Sequence, residues 1–472
     1  MTTDRQQDSA EQGLPRDEFR DEDVSTHLPD EEIRDIVDTL RNQDADTVHA
    51  ALEELSPVET ADLVSKISDD DRRELLDMYS ENFNPDSFAE MDPELQRSTL
   101  SSLPADQVAE IISAVESDDA LELISNLDED FQKEIMRKLS AKIRIAVEEG
   151  LSFPEDSAGR LMQREIVAVP DFWTAGKTVD YLRSASDELP ERFFDIFVVS
   201  PAYHIMGEIP LSKLIRSKRS AKIEDLTLDD THVIPANMDQ EEVADIFRRD
   251  NVISAPVADE NGRLLGVITI DDVIDVIDEE AGEDILALAG VDQGDLYRAV
   301  WATTGTRFRW LFVNLLTAII ASIVISFFGA TIEQIVALAI LMPIVASMGG
   351  NAGTQALTVA VRALATKEIS ETNTMRVIWK EVLVGTINGS IFAIIAGGLA
   401  AMWFASPMLG IVIALAMVIN LAVAGLFGAG IPIFLDRRGA DPAVSSAVLL
   451  TTITDVVGFF AFLGLAALLL TP

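Results

Sequence analysis

The feature that most constrains this chain is a set of five apolar stretches in its last third. Each has about 20 residues or more, the length that an α-helix needs to cross the hydrocarbon core of a bilayer. Backbone N–H and C=O groups find no partner in lipid, so a spanning segment satisfies them internally. The sequence therefore predicts an all-α membrane domain over 310–472. Its five transmembrane helices are expected at 310–329, 335–361, 382–404, 408–435 and 443–470.

The second of these stretches is unusually polar between residues 343 and 362. It contains Pro343, three glycines, Asn351 and Thr354. Lipid cannot satisfy such groups, so the segment should face other protein or a wet cavity. Discontinuous, glycine-rich membrane segments of this kind often line the path of a substrate or ion. We expect such a segment here; the alternative is a small-residue surface for helix packing.

A second signal is Asp455, a carboxylate inside the last apolar stretch. A carboxylate at this depth costs roughly 2.5–3.5 kcal/mol on insertion scales, so it needs a partner or water. The predicted spans contain no Lys, Arg, His or Cys, which makes a cation the natural partner. The alternative is a hydrogen bond between helices. The candidate pore ligands are Asp455, Thr451, Ser347, Gly350, Asn351, Thr354 and Thr358, with Asp441 at the start of the last span.

The chemistry of these groups restricts the cation. All of them are oxygen ligands, which suit Mg²⁺, Ca²⁺ or Mn²⁺ better than Zn²⁺ or Cu⁺. Few charges and many neutral oxygens favour Mg²⁺, which loses its water reluctantly and can be held through its hydration shell. Asp441 precedes Pro442, a pattern more typical of a helix N-cap than of a ligand, although at the mouth of a pathway it can serve both purposes.

The loops between the spans predict the orientation. Every Lys and Arg of residues 301–472 lies before the first span, in loop 362–381 or in loop 436–442. The positive-inside rule makes these regions cytoplasmic. The chain is thus expected to be a multi-pass protein of the cell membrane, with cytoplasmic N-terminal domains and its C-terminus outside. An odd number of spans suits an assembly completed by a second copy.

The remaining part of the chain is strongly acidic. The net charge is −43, yet residues 301–472 hold 8 Lys+Arg and 7 Asp+Glu, so the negative charge comes from 1–300. This acidity argues against nucleic acid as a partner. It fits a halophilic surface or cation binding. The absence of Cys excludes disulfides, and the polar start shows no signal peptide.

The acidic part divides into several predicted regions. Residues 1–29 read as a disordered acidic tail. Residues 30–152 read as a helical-repeat domain, because Leu55, Leu103, Leu127 and Leu151 fall on one 24-residue register. The alternative for this region is an ordinary helical bundle.

Two α/β units follow, at 153–225 and 226–284, each with the order β-α-β-β-α. A connecting helix is expected at 285–309, with a polar interruption at 290–294. The two units resemble a tandem pair of CBS domains, a regulatory module. The resemblance implies that Thr269 and Asp272 hold the ribose of a nucleotide such as ATP.

The whole chain after about residue 30 resembles the MgtE magnesium channels. The resemblance is carried by 342–355, 362–366, 441–443, 454–455 and 153–162. It implies a homodimer with Mg²⁺ between two copies of Asp455, and cytosolic Mg²⁺ sites that close the gate. The positions it implies for those sites are Asp239, Glu241, Asp250, Asp272, Asp275, Glu280, Glu283 and Asp284.

Two departures from that pattern stand out. Thr354 replaces an Asn found in some relatives, and Asn251 stands where an Asp is expected, with Asp250 beside it. The cytosolic acids also have a simpler explanation, a solvated halophilic helix face.

The expected function is Mg²⁺-selective transport closed by cytosolic Mg²⁺. One alternative is a transporter of Co²⁺ or Mn²⁺, or a Na⁺-coupled exchanger, on the same scaffold. Another is a membrane-anchored nucleotide sensor without transport. An enzyme is not expected, because the sequence has no P-loop, nucleophile elbow or metal-binding His cluster.

Overall fold

The computed structural model describes residues 28–470 except 43, 81–82, 186–188, 191, 229 and 292–293. The predicted acidic tail therefore lies almost entirely outside the described residues. The chain divides into two compact units, Met1–Phe153 and Pro154–Pro472.

The first unit is all-α. Its helices are α1 (Asp30–Arg41), α2 (Ala45–Glu54), α3 (Pro57–Lys66), α4 (Asp69–Tyr79), α5 (Pro93–Leu100), α6 (Ala105–Ala114), α7 (Ser117–Ser125), α8 (Glu129–Met136) and α9 (Ala141–Leu151). The predicted 24-residue register is confirmed, because α6 and α8 begin 24 residues apart, as do α4 and α5 and also α7 and α9. Each repeat is a pair of helices. In the repeat that ends with α5, a short 3-10 helix, Pro85–Phe88, takes the place of the first helix of the pair.

Caps and buried side chains explain why this unit folds as it does. Ser56 and Glu59 form a reciprocal capping box at the start of α3, which satisfies N–H groups that the helix leaves free. Leu63 and Ile135 occupy equivalent positions of the repeat and are fully buried. Arg41 Nε and Nη2 donate to the two oxygens of Asp71 at 2.8 and 2.7 Å, which ties α1 to α4.

The second unit begins with two three-stranded sheets. Their strands are β1 (Ala168–Pro170), β2 (Asp195–Val199), β3 (Ile205–Pro210), β4 (Ile234–Pro235), β5 (Ser254–Ala258) and β6 (Leu264–Thr269). Each sheet has a parallel pair followed by an antiparallel hairpin. The associated helices are α10 (Ala158–Leu161), α11 (Ala175–Ser184), α12 (Leu211–Arg216), α13 (Ile223–Leu226), α14 (Gln240–Asp250) and α15 (Ile270–Ala289). The predicted strand order is confirmed in both units.

The segment before the first sheet lies against the second. The Gly159 N–H donates to the Ala236 carbonyl at 2.8 Å, and Gln163 and Val267 exchange backbone hydrogen bonds of 2.9 Å. This segment was expected to belong to the first α/β unit, 153–225. Its backbone groups are instead satisfied by β6 and by the loop after β4, so the two units are tied together through it.

A pair of carboxylates lies where the two α/β units meet. The Ser254 hydroxyl donates to Asp195 Oδ2 at 2.7 Å. Glu208 Oε2 is buried and has no hydrogen-bond partner among the described residues. Burial, and secondarily the charge of Asp195, raises the pKa of Glu208 to about 7.

This raised pKa predicts a pH-dependent stability. Folded Glu208 keeps its proton up to about pH 7, whereas an ordinary Glu loses it near 4.5. The contribution to the free energy of unfolding is thus fully present below pH 4.5 and is lost as the pH rises through 7. We expect a loss of about 1–2 kcal/mol, allowing for partial exposure. Glu208→Gln should remove this dependence, as measured by pulse proteolysis of the full chain in urea at pH 5 and 8. An unchanged dependence in the variant would assign the titration to another group.

The membrane part of the chain is built from α-helices. The helices are α16 (Val300–Ser326), α17 (Gly329–Gln334), α18 (Ala337–Ala365), α19 (Thr374–Trp403), α20 (Pro407–Asp436) and α21 (Pro442–Leu470). Within the described part of the chain, five of them are long and apolar enough to cross a membrane. The predicted set of five spans is confirmed.

Two expectations about this region need correction. The segment 343–362 is not discontinuous, because α18 runs without a break through Pro343 and its glycines. Neighbouring helices support a proline-containing helix in a membrane, so the missing N–H does not end it. The helix after β6 ends at Ala289, where Gly290 adopts a left-handed conformation (φ 69°), and α16 begins at Val300. The region 285–309 is therefore parts of two helices, with the break at the predicted interruption.

Candidate functional site

The polar residues of α18 share one face of the helix. Ser347, Asn351, Thr354 and Thr358 follow one another at intervals of four, three and four, and all of them are exposed. The Thr354 and Thr358 hydroxyls donate to backbone carbonyls one turn earlier, at 3.0 and 2.9 Å. These bonds leave the hydroxyl oxygens able to accept. These four residues form an exposed hydrophilic stripe on a membrane helix, called the polar face below.

Helix α21, which carries Thr451 and Asp455, packs against α18. Gly353 of α18 faces Leu450 of α21 so closely that a Cβ at Gly353 would lie 3.0 Å from the leucine methyls. Leu450 is followed by Thr451, which is exposed, and one turn later by Asp455, which is half-buried. In the part of the chain that the structure describes, Asp455 makes no hydrogen bond or ion pair. A carboxylate in a membrane helix without a protein partner is a candidate cation ligand.

Asp441 directly precedes α21 and caps its first turn, as the sequence predicts. The Ala443 N–H donates to Asp441 Oδ1 at 2.7 Å, and Pro442 is the first helical residue. The carboxylate is exposed and also faces acids of α15. Burial first, then the charges of Asp441 and Glu280, raises the pKa of Asp284. The helix cap therefore also contributes negative charge beside Glu283 and Asp284 of α15.

Several of the predicted cytosolic acids lie close to one another and to Asp441. The Gln240 amide donates to Glu280 Oε1 at 2.8 Å, which joins α14 to α15. Burial is the largest cause of a raised pKa at both Glu241 and Glu283, and neighbouring acids add to it. The mutually repelling acids, called the acidic cluster below, are Asp156, Asp239, Glu241, Glu280, Glu283, Asp284 and Asp441.

The other predicted cytosolic residues are not in this cluster. Asp250 accepts from Arg249 and His232, and its hydrogen bond to Arg249 is the first cause of its lowered pKa. Asp275 interacts instead with Asp271 and Asp278. Thr269 and Asp272 bond each other at 2.7 Å in the capping box of α15. Their polar groups thus serve the helix start in this structure.

The acidic cluster is not a closed metal shell. Among the described residues, no three His, Cys, Asp or Glu side chains come close enough together to hold an ion directly. The carboxylates instead interact pairwise at distances over which they repel one another. An ion with its hydration shell suits such an arrangement better than a dehydrated ion.

Sequence reasoning missed two charged residues of this region. Asp156 has a left-handed backbone (φ 56°), its carbonyl accepts from the Gln240 N–H at 2.8 Å, and its charge acts on Glu283. It lies in the segment 153–162, where the sequence predicted no site residue. Lys367 follows α18, and its positive charge lowers the pKa of Glu241, opposing burial. Its position was used only to predict orientation.

The end of α15 touches the helices that carry the polar face. Ala287 and Leu288 pack on a buried cluster that includes Leu357 of α18 and Ala443 of α21. Beyond them, the Trp310 indole covers Gly290 so closely that any side chain there would overlap it. A displacement of α15 would therefore reach α16, α18 and α21 through direct contacts.

Comparison with known proteins agrees with this arrangement. Three family models match: a divalent cation transporter model over 342–465, an MgtE intracellular N domain model over 55–156 and a CBS domain model over 223–279. A protein named magnesium transporter MgtE from Thermus thermophilus is 35% identical over 338 residues, which is 70% of this chain and 74% of the relative. The protein of the same name from Bacillus subtilis is 29% identical over 440 residues, 93% of this chain and 97% of the relative.

Among solved structures, the cytosolic domain of the Mg²⁺ channel MgtE in complex with ATP matches with 26% identity and a TM-score of 0.48. The match covers 52% of this chain and 99% of that structure.

The fold and the site define a multi-pass membrane protein that carries paired CBS-type units and an N-terminal helical domain. Its polar membrane face and its acidic cluster present oxygen ligands that are suited to a cation. The chain belongs to the MgtE family of divalent cation transporters, which is a family of transporters and not of enzymes.

Proposed function

We propose that this protein is a homodimeric Mg²⁺ channel of the cell membrane. The observation that carries the proposal is the exposed polar face of α18 together with Asp455 on the adjacent helix α21, a membrane carboxylate without a protein partner among the described residues. In a single chain this face would meet lipid, which cannot satisfy it. A second copy would enclose it around a two-fold axis and pair two Asp455 carboxylates across a wet pathway.

Each polar residue has a definite part in this proposal. The two Asp455 side chains attract the ion and hold it through its hydration shell. The waters of that shell are bound by neutral polar groups. These are the hydroxyls of Ser347, Thr354, Thr358 and Thr451, the Asn351 amide and the backbone carbonyl at Gly350. Asp441 and the acidic cluster raise the local concentration of divalent ions at the cytoplasmic opening.

Closure by cytosolic Mg²⁺ follows from the position of the acidic cluster. Its carboxylates repel one another when no ion is present, and bound Mg²⁺ would offset that repulsion. The end of α15 contacts α18 and α21, so drawing these acids together would move the helices that line the pathway. Nucleotide binding at Thr269 and Asp272 remains part of the proposal, and it requires their mutual hydrogen bond to open.

Ion flux into proteoliposomes tests this function against its alternatives. We expect the purified protein to admit Mg²⁺ in preference to Mn²⁺ and Co²⁺, with no requirement for a Na⁺ gradient. Equal flux of all three ions would favour a general divalent transporter, and dependence on Na⁺ would favour an exchanger. A protein that binds ATP but moves no ion would be a membrane-anchored sensor.

The proposed orientation predicts where introduced cysteines can be labelled. The chain has no native Cys, so single cysteines at Ser406, between α19 and α20, and at Arg438, between α20 and α21, give clean signals. In intact cells an impermeant maleimide should label the first and not the second, because Arg438 lies in a basic cytoplasmic loop. Labelling of only the Arg438 position would reverse the topology.

A further inference from the structure

Asn420 is a polar residue in the middle of α20 that is completely buried. Its Nδ2 donates to the carbonyl oxygen of Val345 on α18 at 2.9 Å. Its Oδ1 has no hydrogen-bond partner among the described residues. Leaving such an acceptor buried costs about 1–3 kcal/mol, a cost that a leucine would not carry. The side chain therefore has a use other than filling space.

Two glycines make room for this side chain. A Cβ at Gly349 of α18 would overlap the Asn420 amide, and one at Gly458 of α21 would lie 2.7 Å from Nδ2. The amide thus sits between two helix backbones that approach it only because neither has a side chain there. Contact of this kind limits how closely α18 and α21 can approach this side chain.

These contacts lie at the turns that carry the proposed ligands. Val345 and Gly349 flank Ser347 by two residues on either side. Gly458 follows Asp455 by three residues, which is nearly one helical turn. Asn420 therefore contacts the buried sides of α18 and α21. At the same levels, the opposite sides of these helices carry the polar face and the Asp455 carboxylate.

We propose that Asn420 is a positioning residue for ion selection. This role rests on the proposed function. Asn420 holds the polar face of α18 in register with Asp455, so that the space between them matches one hydrated cation. Divalent cations with different hydration and preferred geometry place their waters differently. A small displacement of α18 against α21 would relax the discrimination between them.

The test uses the full-length protein in proteoliposomes, with flux measured against Mg²⁺ concentration and against competing Mn²⁺ and Co²⁺. Asn420→Leu should raise the half-saturating Mg²⁺ concentration at least fivefold and should weaken the preference for Mg²⁺ over Mn²⁺. Asn388→Leu makes the same chemical change at an exposed residue of α19 and should behave as wild type. A role in packing alone would lower the yield of folded protein while leaving affinity and preference unchanged.

A double-mutant cycle tests the contact itself. Gly349→Ala should lower flux at least tenfold, because its Cβ overlaps Asn420. In the Asn420→Ala background the same change should add no further loss, since the overlapping group is gone. Gly398→Ala is the control, because a Cβ there meets no described atom within 4 Å.

The possible outcomes separate this proposal from the proposed function. Wild-type flux with unaltered affinity and ion preference in Asn420→Leu would overturn the positioning role and leave Mg²⁺ transport standing. Additive losses in the cycle would also overturn it. Absence of Mg²⁺ flux in the wild-type protein would refute the transport function, and the positioning role would fall with it.

Discussion

Asp455→Ala is expected to lower saturable Mg²⁺ uptake about 100-fold or more, equivalent to about 2.8 kcal/mol. Asp455 is the sole acidic residue inside the predicted spans, and it has no protein partner in the described part of the chain. Its helix, α21, packs against α18, which carries the exposed hydroxyl face. The charge of Asp455 would supply most of the attraction for a hydrated divalent ion within the membrane, because the other candidate ligands inside the predicted spans are neutral. Uptake is measured in proteoliposomes with an enclosed Mg²⁺ indicator.

Two further variants make this result specific. Asp455→Asn keeps the size and polarity of the side chain but removes its charge, so it should retain only a small part of the uptake. Asp436→Ala removes an exposed acid at the end of α20 and should transport normally. All variants should elute as the same dimer as wild type. Normal Mg²⁺ selectivity in the alanine variant would mean that the ion is held elsewhere.

The sequence predicts the membrane helices well and their ends less well. Hydropathy finds only the part of a helix that lies in lipid, and α16 and α19 extend well beyond it. Helix α19 begins at Thr374 and not near residue 382, because Arg376 and Lys380 are compatible with a helix in water. Polar helix ends of this kind carry no apolar signal.

Helix α18 shows why proline and glycine are misleading signals of a helix break in a membrane segment. Proline and glycines predict a break in a soluble chain, because water can satisfy the freed backbone groups. Inside a bilayer that alternative is missing, and Gly353 instead lets α18 approach Leu450. The intervals between Ser347, Asn351, Thr354 and Thr358 do predict one helical face. Local spacing was therefore informative once the helix was known to be continuous.

The acidic cluster could be predicted only in part from the sequence. The repeated acids of α15 are visible as a pattern, but their neighbours come from distant segments. Asp156 lies before the first sheet and Lys367 follows α18, and both act on acids of α14 or α15. Such groupings depend on how the α/β units meet the membrane helices. The periodicity of a single stretch of sequence carries no information about contacts between distant segments.

Neutralising the α15 part of the acidic cluster is expected to leave the pathway open at high cytosolic Mg²⁺. The triple variant is Glu280→Gln, Glu283→Gln and Asp284→Asn. Glu283 and Asp284 have raised pKa values from burial first and from neighbouring acids second, so their negative charges are unfavourable until a cation joins them. Removing the charges removes the advantage that Mg²⁺ gives to the compact form. Wild-type flux should fall as cytosolic Mg²⁺ rises, and flux in the triple variant should not.

The required energy is within reach of several weak sites. Moving an equilibrium from 1:99 to 99:1 takes about 5.5 kcal/mol of differential binding, and a ligand shifts it only through different affinities for the two states. Protons should compete with Mg²⁺ at these raised-pKa acids. Lowering the cytosolic pH should therefore shift closure to higher Mg²⁺ concentrations in the wild-type protein.

A matched variant separates a sensor from a charged surface. Asp271→Asn, Asp278→Asn and Glu279→Gln remove the same charge from exposed positions of α15, so closure should persist there if position matters. Mg²⁺ should also protect the segment between α15 and α16 from protease in the wild type and in this control, but not in the Glu280, Glu283 and Asp284 variant. KCl at matched ionic strength screens repulsion without binding specifically. If KCl protects as well as Mg²⁺, or if both triple variants respond alike, these acids act only as a solvated surface and closure depends on other residues.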